Sequence, residues 1–140
     1  MLMRNRIVLL ALASSFVLVC ACGIALAKDP FVGKWKVTIS PGADAMAAGQ
    51  KEIKDTLVFD HVKFHSEAFN KQNGFGPVAY ELDTRGAPSG ISAFTAEPTN
   101  SKGDTAKFTG NKSGSAIKGN IVWKKKDGTE WSYTYAGERE

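Results

Sequence analysis

The sequence predicts an all-β protein: a single small antiparallel up-and-down barrel of about eight strands, behind an N-terminal export signal. Apolar side chains recur at every second residue from Trp35 to Tyr135, which is the period of a half-buried strand. Short clusters of Gly, Pro, Asn and Asp separate these runs, as tight turns do. No stretch between them is long enough for a crossover helix, so sequential antiparallel pairing is the expected topology.

The leader has the composition of a cleavable secretion signal. Arg4 and Arg6 give it a basic start, residues 7–27 carry no charge, and Ala25-Leu26-Ala27 provides a small-x-small end. We therefore expect residues 1–27 to be a signal peptide that is cleaved after Ala27. The domain 28–140 would then be exported, to the periplasm or out of the cell.

Two other interpretations of the leader stay open. Val19-Cys20-Ala21-Cys22 resembles a bacterial lipoprotein signal, in which Cys22 carries the lipid and anchors the protein to a membrane. The uncharged stretch is also long enough to span a bilayer without being cleaved, although Ser14 and Ser15 interrupt it. Any membrane contact is thus expected through the signal or through a lipid on Cys22.

The domain 28–140 must be stable through core packing alone, because both cysteines lie in the leader. Its length of about 113 residues suffices for one core but not for two domains. Of the 18 Lys and Arg side chains, Arg4 and Arg6 belong to the leader, which leaves 16 against 14 Asp and Glu. This near-neutral charge indicates neither nucleic acid nor a general anionic surface as a partner.

The first predicted strand places Trp35, Val37 and Ile39 on one face. Ser40–Gly42 ends it. The alanine-rich segment Ala43–Gly49 predicts a single helical turn or a compact loop.

The second and third strands are predicted on either side of His61. The second covers Lys54–Asp60, with Phe59 on the inner face, and the third runs from Val62 to about Phe69. The polar cluster Asn70–Gly74 predicts a turn after it.

The fourth strand alternates clearly, with Val78, Tyr80 and Leu82 on one face. Arg85–Gly90 predicts the turn that breaks it. The fifth strand is Ile91–Ala96.

The last three strands follow in the C-terminal third. The sixth is predicted at Thr105–Thr109 and ends at the cluster Gly110–Gly114. Asp127-Gly128 predicts a tight hairpin between the seventh and eighth strands, because this pair tolerates positive φ. The inward residues of those two strands are Ile117, Gly119, Ile121, Trp123, Trp131, Tyr133 and Tyr135.

Eight strands are about the number at which a meander closes around side chains or one small ligand. Closure also removes the two exposed edges of an open meander. An open two-sheet sandwich is the alternative, since periodicity is the same in both.

The Gly33-Lys34-Trp35 motif opens the first strand shortly after the leader. A Gly-x-Trp motif ahead of an eight-strand meander resembles the calycin group of barrels, the lipocalins and their avidin-like relatives. In lipocalins the Trp packs across the closed end, and a cation from a late strand covers it. The resemblance assigns these places to Trp35 and Arg139 as a structural barrel-end pair. It implies a carrier of a small ligand.

Large inward aromatic rings are the main candidates for a binding site, since each can bury ~150–250 Å². They predict the core of a packed barrel, an aromatic-lined pocket for a small hydrophobic or ring-shaped ligand, or a platform for sugar rings. The expected lining residues are Trp35, Phe59, Tyr80, Trp123, Trp131 and Tyr133.

Metal and catalytic sites are not predicted. His61 and His65 lie in a predicted turn and strand, where four residues span ~13 Å, which is too far for both to bind one ion. The domain has no cysteine and no Gly-x-Ser-x-Gly motif. We therefore expect no metal, no cofactor and no enzymatic activity.

The basic run Lys124-Lys125-Lys126 precedes the predicted hairpin turn and is expected to be a solvated tip. Taken together, these observations predict an exported, non-enzymatic, lipocalin-like barrel that binds a small hydrophobic or aromatic molecule. The alternative is a structural or interaction module of the cell envelope, with a fully packed core and no ligand.

Overall fold

The computed structural model describes residues 29–83 and 91–140. The predicted signal peptide, Cys22 and the predicted turn Arg85–Gly90 lie outside these ranges. The compact unit that contains the barrel spans Phe31–Glu140. Its strands are β1 (Gly33–Pro41), β2 (Ile53–Phe59), β3 (Lys63–Ser66), β4 (Val78–Asp83), β5 (Ile91–Ala96), β6 (Thr105–Ser113), β7 (Ala116–Lys124) and β8 (Glu130–Arg139), and its helices are α1 (Ala43–Ala47) and α2 (Glu67–Asn73).

The eight strands pair in sequence order and close into an antiparallel barrel. Closure depends on β1 and β8, which pair from Trp35 opposite Arg139 to Pro41 opposite Tyr133. The predicted barrel is therefore confirmed. The sandwich alternative is wrong, because an open pair of sheets would leave these two strands unpaired.

The predicted alternation of side chains positions the core. Trp35, Val37 and Ile39 of β1 are buried, and so are Tyr133 and Tyr135 of β8. The predicted helical turn after β1 is α1, and Gly128 in the β7–β8 hairpin has the expected positive φ of 96°.

The third strand is shorter than the sequence predicts. β3 ends at Ser66 and α2 follows, where we expected the strand to reach Phe69 and a turn to fill Asn70–Gly74. The Ser66 hydroxyl accepts a hydrogen bond from the Phe69 N–H at 3.1 Å, which caps the helix. Gly74, with φ 76°, ends it. Phe64 is buried as the predicted strand requires, but the prediction beyond Ser66 was wrong because the two caps favour a helix there.

A buried carboxylate joins β2, β3 and α2. Asp55 accepts hydrogen bonds from the Ser66 hydroxyl and from the backbone N–H groups of Thr56 at 2.7 Å and Ala68 at 2.8 Å. Burial raises the pKa of Asp55, and the hydrogen bonds from Ser66, Ala68 and Thr56 oppose that rise.

β6 continues to Ser113, beyond the predicted end at Thr109. Gly110, which we expected in a turn, lies inside the strand, where it is opposite Phe94 on β5 and Gly119 on β7, and Tyr135 leaves no space for a side chain there. A Cβ added at Gly110 would lie 2.2 Å from the Tyr135 hydroxyl oxygen, and one at Gly119 would lie 2.6 Å from it. That hydroxyl donates a hydrogen bond to the Thr109 carbonyl at 2.8 Å.

Candidate functional site

The barrel has two different ends. We name the end at the β2–β3 and β6–β7 turns the closed end, and the opposite end, where α1, α2 and the β7–β8 hairpin lie, the helix end. The predicted lining residues divide between them. Phe59 contacts Tyr80 toward the closed end, with Trp35 nearby on β1, whereas Trp123, Trp131 and Tyr133 lie at the helix end.

Arg139 covers the closed end by stacking on Trp35. Its guanidinium carbon lies 4.3 Å from the centroid of the Trp35 ring, which is cation–π geometry. One guanidinium nitrogen also donates to the Val32 carbonyl at 2.6 Å. Trp35 is fully buried, and its indole N–H donates to the Phe31 carbonyl at 2.9 Å. The structure thus brings together the two residues that the resemblance assigns to the barrel end.

Aromatic rings fill the interior around Phe59. Its ring centroid lies 4.8–5.3 Å from those of four other rings, in tilted or edge-to-face arrangements that aromatic pairs favour. These neighbours are Phe31, Phe64, Tyr80 and Phe94. The space beside Phe59 is therefore occupied by side chains.

α2 places one ring over the helix end. Phe69 is buried, and its centroid lies 5.4 Å from that of Phe108 and 5.8 Å from those of Trp123 and Tyr133. Phe75, just after the helix, contacts both Phe69 and Trp123. A short helix thus closes this end with aromatic contacts.

Two indoles and a lysine form the rim beside Phe69. Trp123 and Trp131 are directly opposite each other on β7 and β8, with centroids 5.3 Å apart and planes at 77°. The Lys125 Nζ lies 4.0 Å from the Trp131 centroid and 5.4 Å from that of Trp123. Trp131 is half-buried and Trp123 is buried, so the rim presents one indole to solvent.

Asp104 holds Trp123 in place. Its carboxylate accepts a hydrogen bond from the Trp123 indole N–H at 3.3 Å and another from the Lys126 backbone N–H at 3.0 Å. The Lys126 N–H, together with the Trp123 and Asn100 donors, keeps the pKa of Asp104 below its usual value. The indole therefore faces a carboxylate that stays charged.

A hollow of about 190 Å³ opens among these groups. Phe69, Trp123 and Tyr133 form its aromatic side, and the amides of Gln50 and Gln72 lie on its polar side. The Tyr133 hydroxyl donates to the Gln50 side-chain oxygen at 3.3 Å. We name this space the helix-end hollow.

The Tyr133 hydroxyl remains neutral across the physiological pH range. Burial, followed by the nearby charge of Asp44, raises the pKa of Tyr133 to about 12. The group can therefore donate or accept a hydrogen bond at the edge of the hollow, but it does not supply a phenolate.

Neither of the two histidines lines this hollow. His61 is exposed in the β2–β3 turn with a φ of 84°, and His65 lies on β3 opposite Val58. Within residues 29–83 and 91–140, no group of three or more His, Cys, Asp or Glu side chains is arranged to hold a metal ion.

The run Lys124–Lys126 does not act as a uniform solvated tip. Lys124 and Lys126 are exposed, as expected, whereas Lys125 is half-buried over Trp131. The aliphatic part of Lys126 lies beside Gly103, where an added Cβ would be 3.1 Å from the Lys126 Cδ.

Sequence reasoning missed Phe69, Phe75 and Asp104 as parts of this site. The alternation predicts a strand that reaches Phe69, whereas the signal for the helix is local: Ser66 as an N-cap, Glu67 in the first turn and Gly74 at the end of the helix. Nothing in the local pattern connects Asp104 with Trp123, because their contact depends on the β6–β7 pairing.

Comparison with known proteins adds no relative. A scan against protein-family models, a search of curated proteins and a search of solved structures each give no match to this chain. Among the described residues, no helix has both the length and the apolar character needed to cross a membrane.

Proposed function

We propose that this chain is an exported, non-enzymatic binding protein of the lipocalin type, and that it binds a small aromatic molecule in the helix-end hollow. The kinship with lipocalins is supported by Gly33-Lys34-Trp35, by Arg139 stacked on Trp35, and by the closed eight-strand meander. Export is supported by the composition of the leader 1–27.

The observation that carries the proposal is the lining of the hollow. It has an aromatic side and a polar side, as small-molecule sites usually do, and it lies at the end opposite the Trp35–Arg139 pair. Trp123 and Tyr133, two of the predicted lining residues, contribute to it directly, and Trp131 packs against Trp123.

The size of the hollow limits the ligand. Pockets for drug-sized molecules measure about 300–1,000 Å³, whereas this hollow measures about 190 Å³. It therefore suits a single ring with one or two polar substituents. Gln50 and Gln72 can hydrogen-bond to those substituents while a ring face packs against Phe69 or Trp123.

Calorimetric titration of the purified protein with phenol, indole and benzamide tests this proposal. The matched variants are Tyr133→Phe, which removes the hydroxyl that donates to Gln50, and Tyr80→Phe, which removes a hydroxyl from a ring that packs against Phe59 and does not line the hollow. We expect Tyr133→Phe and Gln50→Ala to weaken binding about fivefold or more, on the order of one hydrogen bond. Tyr80→Phe should leave the affinity unchanged. Equal weakening by both tyrosine variants would overturn the assignment.

The ring packing around Phe59 favours a second candidate, a structural or interaction module with a filled core and no small ligand. On this hypothesis none of the ring compounds gives a binding heat, and none raises the melting temperature of the protein. The same titrations therefore decide between the two candidates.

A further inference from the structure

A second hollow, of about 660 Å³, lies on the outside of the barrel, between α2 and the outer wall of β1 and β2. We name it the lysine groove. Its polar lining consists of Lys36, Thr38, Lys54, Asp55, Thr56, Glu67, Lys71 and Gln72.

The alternation of β1 and β2 places these groups on the outer wall. Since Trp35 and Val37 point inward, Lys36 and Thr38 point outward. Lys36 is opposite Thr56 and Thr38 is opposite Lys54, so the two lysines are diagonal neighbours on one face. The strands thus hold two cations and two hydroxyls in a fixed pattern.

One lysine of the pattern is held in position. The Lys54 Nζ donates to the Thr38 hydroxyl oxygen at 2.9 Å, across the two strands. Lys71 and Gln72 of α2 face the same groove from the other side. Groups from three elements therefore converge on one space.

The exposed charge in the groove is positive. Three lysines line it together with one exposed carboxylate, that of Glu67, while the carboxylate of Asp55 is buried and accepts three hydrogen bonds. Glu138 of β8 lies opposite Lys36. Glu138 offsets part of the Lys36 charge, but Lys36 and Lys54 are diagonal neighbours on one face, so an oxyanion between them would be attracted by both.

We propose that the lysine groove binds a small organic phosphate. The phosphate oxygens accept charge-assisted hydrogen bonds from Lys36 and Lys54, and Thr56, Lys71 and Gln72 bind the polar body of the ligand. The ligand is small because the near-neutral domain has no long-range field to hold a polyanion. The volume of the groove exceeds what a phosphate ion alone requires, so the body contributes to recognition.

The lysine groove and the helix-end hollow can be tested separately. The two spaces share one lining residue, Gln72, and none of the variants proposed for either space changes it. Loss of ring-compound binding would therefore leave the groove proposal intact, and the reverse also holds.

Titration of the ¹⁵N-labelled protein with glucose 6-phosphate tests the proposal by NMR. We expect the largest amide shifts in β1 and β2 near Lys36 and Lys54 and in α2, and an affinity that decreases with added salt. Glucose 6-phosphate should bind more tightly than inorganic phosphate, and glucose should not bind. Shifts confined to other surfaces, equal responses to glucose, or no response at millimolar ligand would each overturn the proposal.

Two matched double variants distinguish binding in the lysine groove from a general effect of the protein's positive charge. Lys36→Gln with Lys54→Gln should weaken glucose 6-phosphate binding by at least about tenfold. Lys107→Gln with Lys118→Gln removes the same charge from two exposed outer positions of β6 and β7 and should change the affinity less than about twofold. Equal losses in both pairs would overturn the proposal.

A third variant tests the groove without changing the strands, so that a loss of binding cannot be due to misfolding of β1 or β2. Lys71→Gln changes only an exposed position on α2 and should weaken binding about threefold while the circular dichroism spectrum stays the same. Unchanged affinity in this variant together with unchanged affinity in the Lys36 and Lys54 pair would contradict the assignment.

Discussion

The guanidinium of Arg139 lies over the Trp35 ring and at the same time binds the Val32 carbonyl. One side chain near the C-terminus thus contacts both the first strand and the segment that leads into it. Because β1 and β8 are also paired, this contact reinforces the closure of the barrel at the point where the two ends of the domain meet.

Replacing Arg139 by alanine should destabilise the protein by about 1–2 kcal/mol, because it removes a cation–π contact and a hydrogen bond from a charged donor to the Val32 carbonyl. Arg139→Lys should recover part of this loss, since a lysine keeps the charge but not the planar fork. Urea unfolding followed by circular dichroism measures the difference. Lys107→Ala on the exposed outer wall of β6 is the control and should change the stability by less than about 0.5 kcal/mol. An Arg139→Ala variant as stable as this control would show that the stacked contact contributes nothing.

Adding a methyl group at Gly119 should be strongly destabilising. The new Cβ would lie 1.9 Å from the Thr109 carbonyl oxygen and 2.6 Å from the Tyr135 hydroxyl oxygen, so backbone and ring must both shift. We expect Gly119→Ala to cost about 3 kcal/mol or more, measured by urea unfolding.

The control for this substitution is Gly76→Ala, where the added Cβ meets no atom within 4 Å. It should be neutral or stabilise slightly, by about 0.4–1 kcal/mol, through the lower entropy of the unfolded chain. Similar losses at Gly76 and Gly119 would show that the packing against Tyr135 is not the cause.

Most of the strand order was predictable because alternation is a local property. Trp35, Val37 and Ile39 alternate with polar residues, and this pattern alone determines which face is buried. Local alternation does not determine whether β1 pairs with β8 and closes the barrel. The pairing of Ile39 with Tyr135 joins residues from opposite ends of the domain, and a sandwich would have the same local periods.

The site was only partly predictable. Trp123 and Tyr133 were identified because they lie on the inner face of long, regular strands. The strand prediction at Phe69 is wrong because a seven-residue helix shows little periodicity, and the caps at Ser66 and Gly74 are the stronger signal. The contact between Asp104 and Trp123 depends on tertiary structure and leaves no mark in the sequence.

Asp55 should make the stability depend on pH in an unusual direction. Because burial raises its pKa in the folded state, the folded protein binds the Asp55 proton more tightly than the unfolded chain does. Its contribution is therefore fully present below the unfolded pKa, near 3.8, and is lost as the pH rises through the folded pKa. The difference in unfolding free energy between the wild type and Asp55→Asn should fall as the pH increases through this window, in urea titrations from acid to neutral pH.

Asp60 serves as a control because its pKa is shifted in the opposite direction to that of Asp55. The backbone N–H groups of Lys63 and Val62 lower the pKa of Asp60, so its contribution is present above the unfolded pKa and is lost as the pH falls. The unfolding free energy of the wild type, relative to that of Asp60→Asn, should therefore increase as the pH rises. If the free-energy difference between wild type and variant changes with pH in the same direction for Asp55→Asn and Asp60→Asn, burial is not the cause of the pH dependence at Asp55.

Removing the Phe69 ring should enlarge the helix-end hollow into the barrel. Phe69 packs against Phe108, Trp123 and Tyr133, so Phe69→Ala should cost about 3–5 kcal/mol. The space left is apolar, and apolar cavities of this kind bind small rings. Toluene should therefore raise the melting temperature of Phe69→Ala but not that of Phe69→Met, which nearly conserves the side-chain volume. If toluene stabilises neither variant, the prediction is wrong. The barrel would then have collapsed around the missing ring, and the Phe69 ring of α2 would not be what separates the hollow from the aromatic interior.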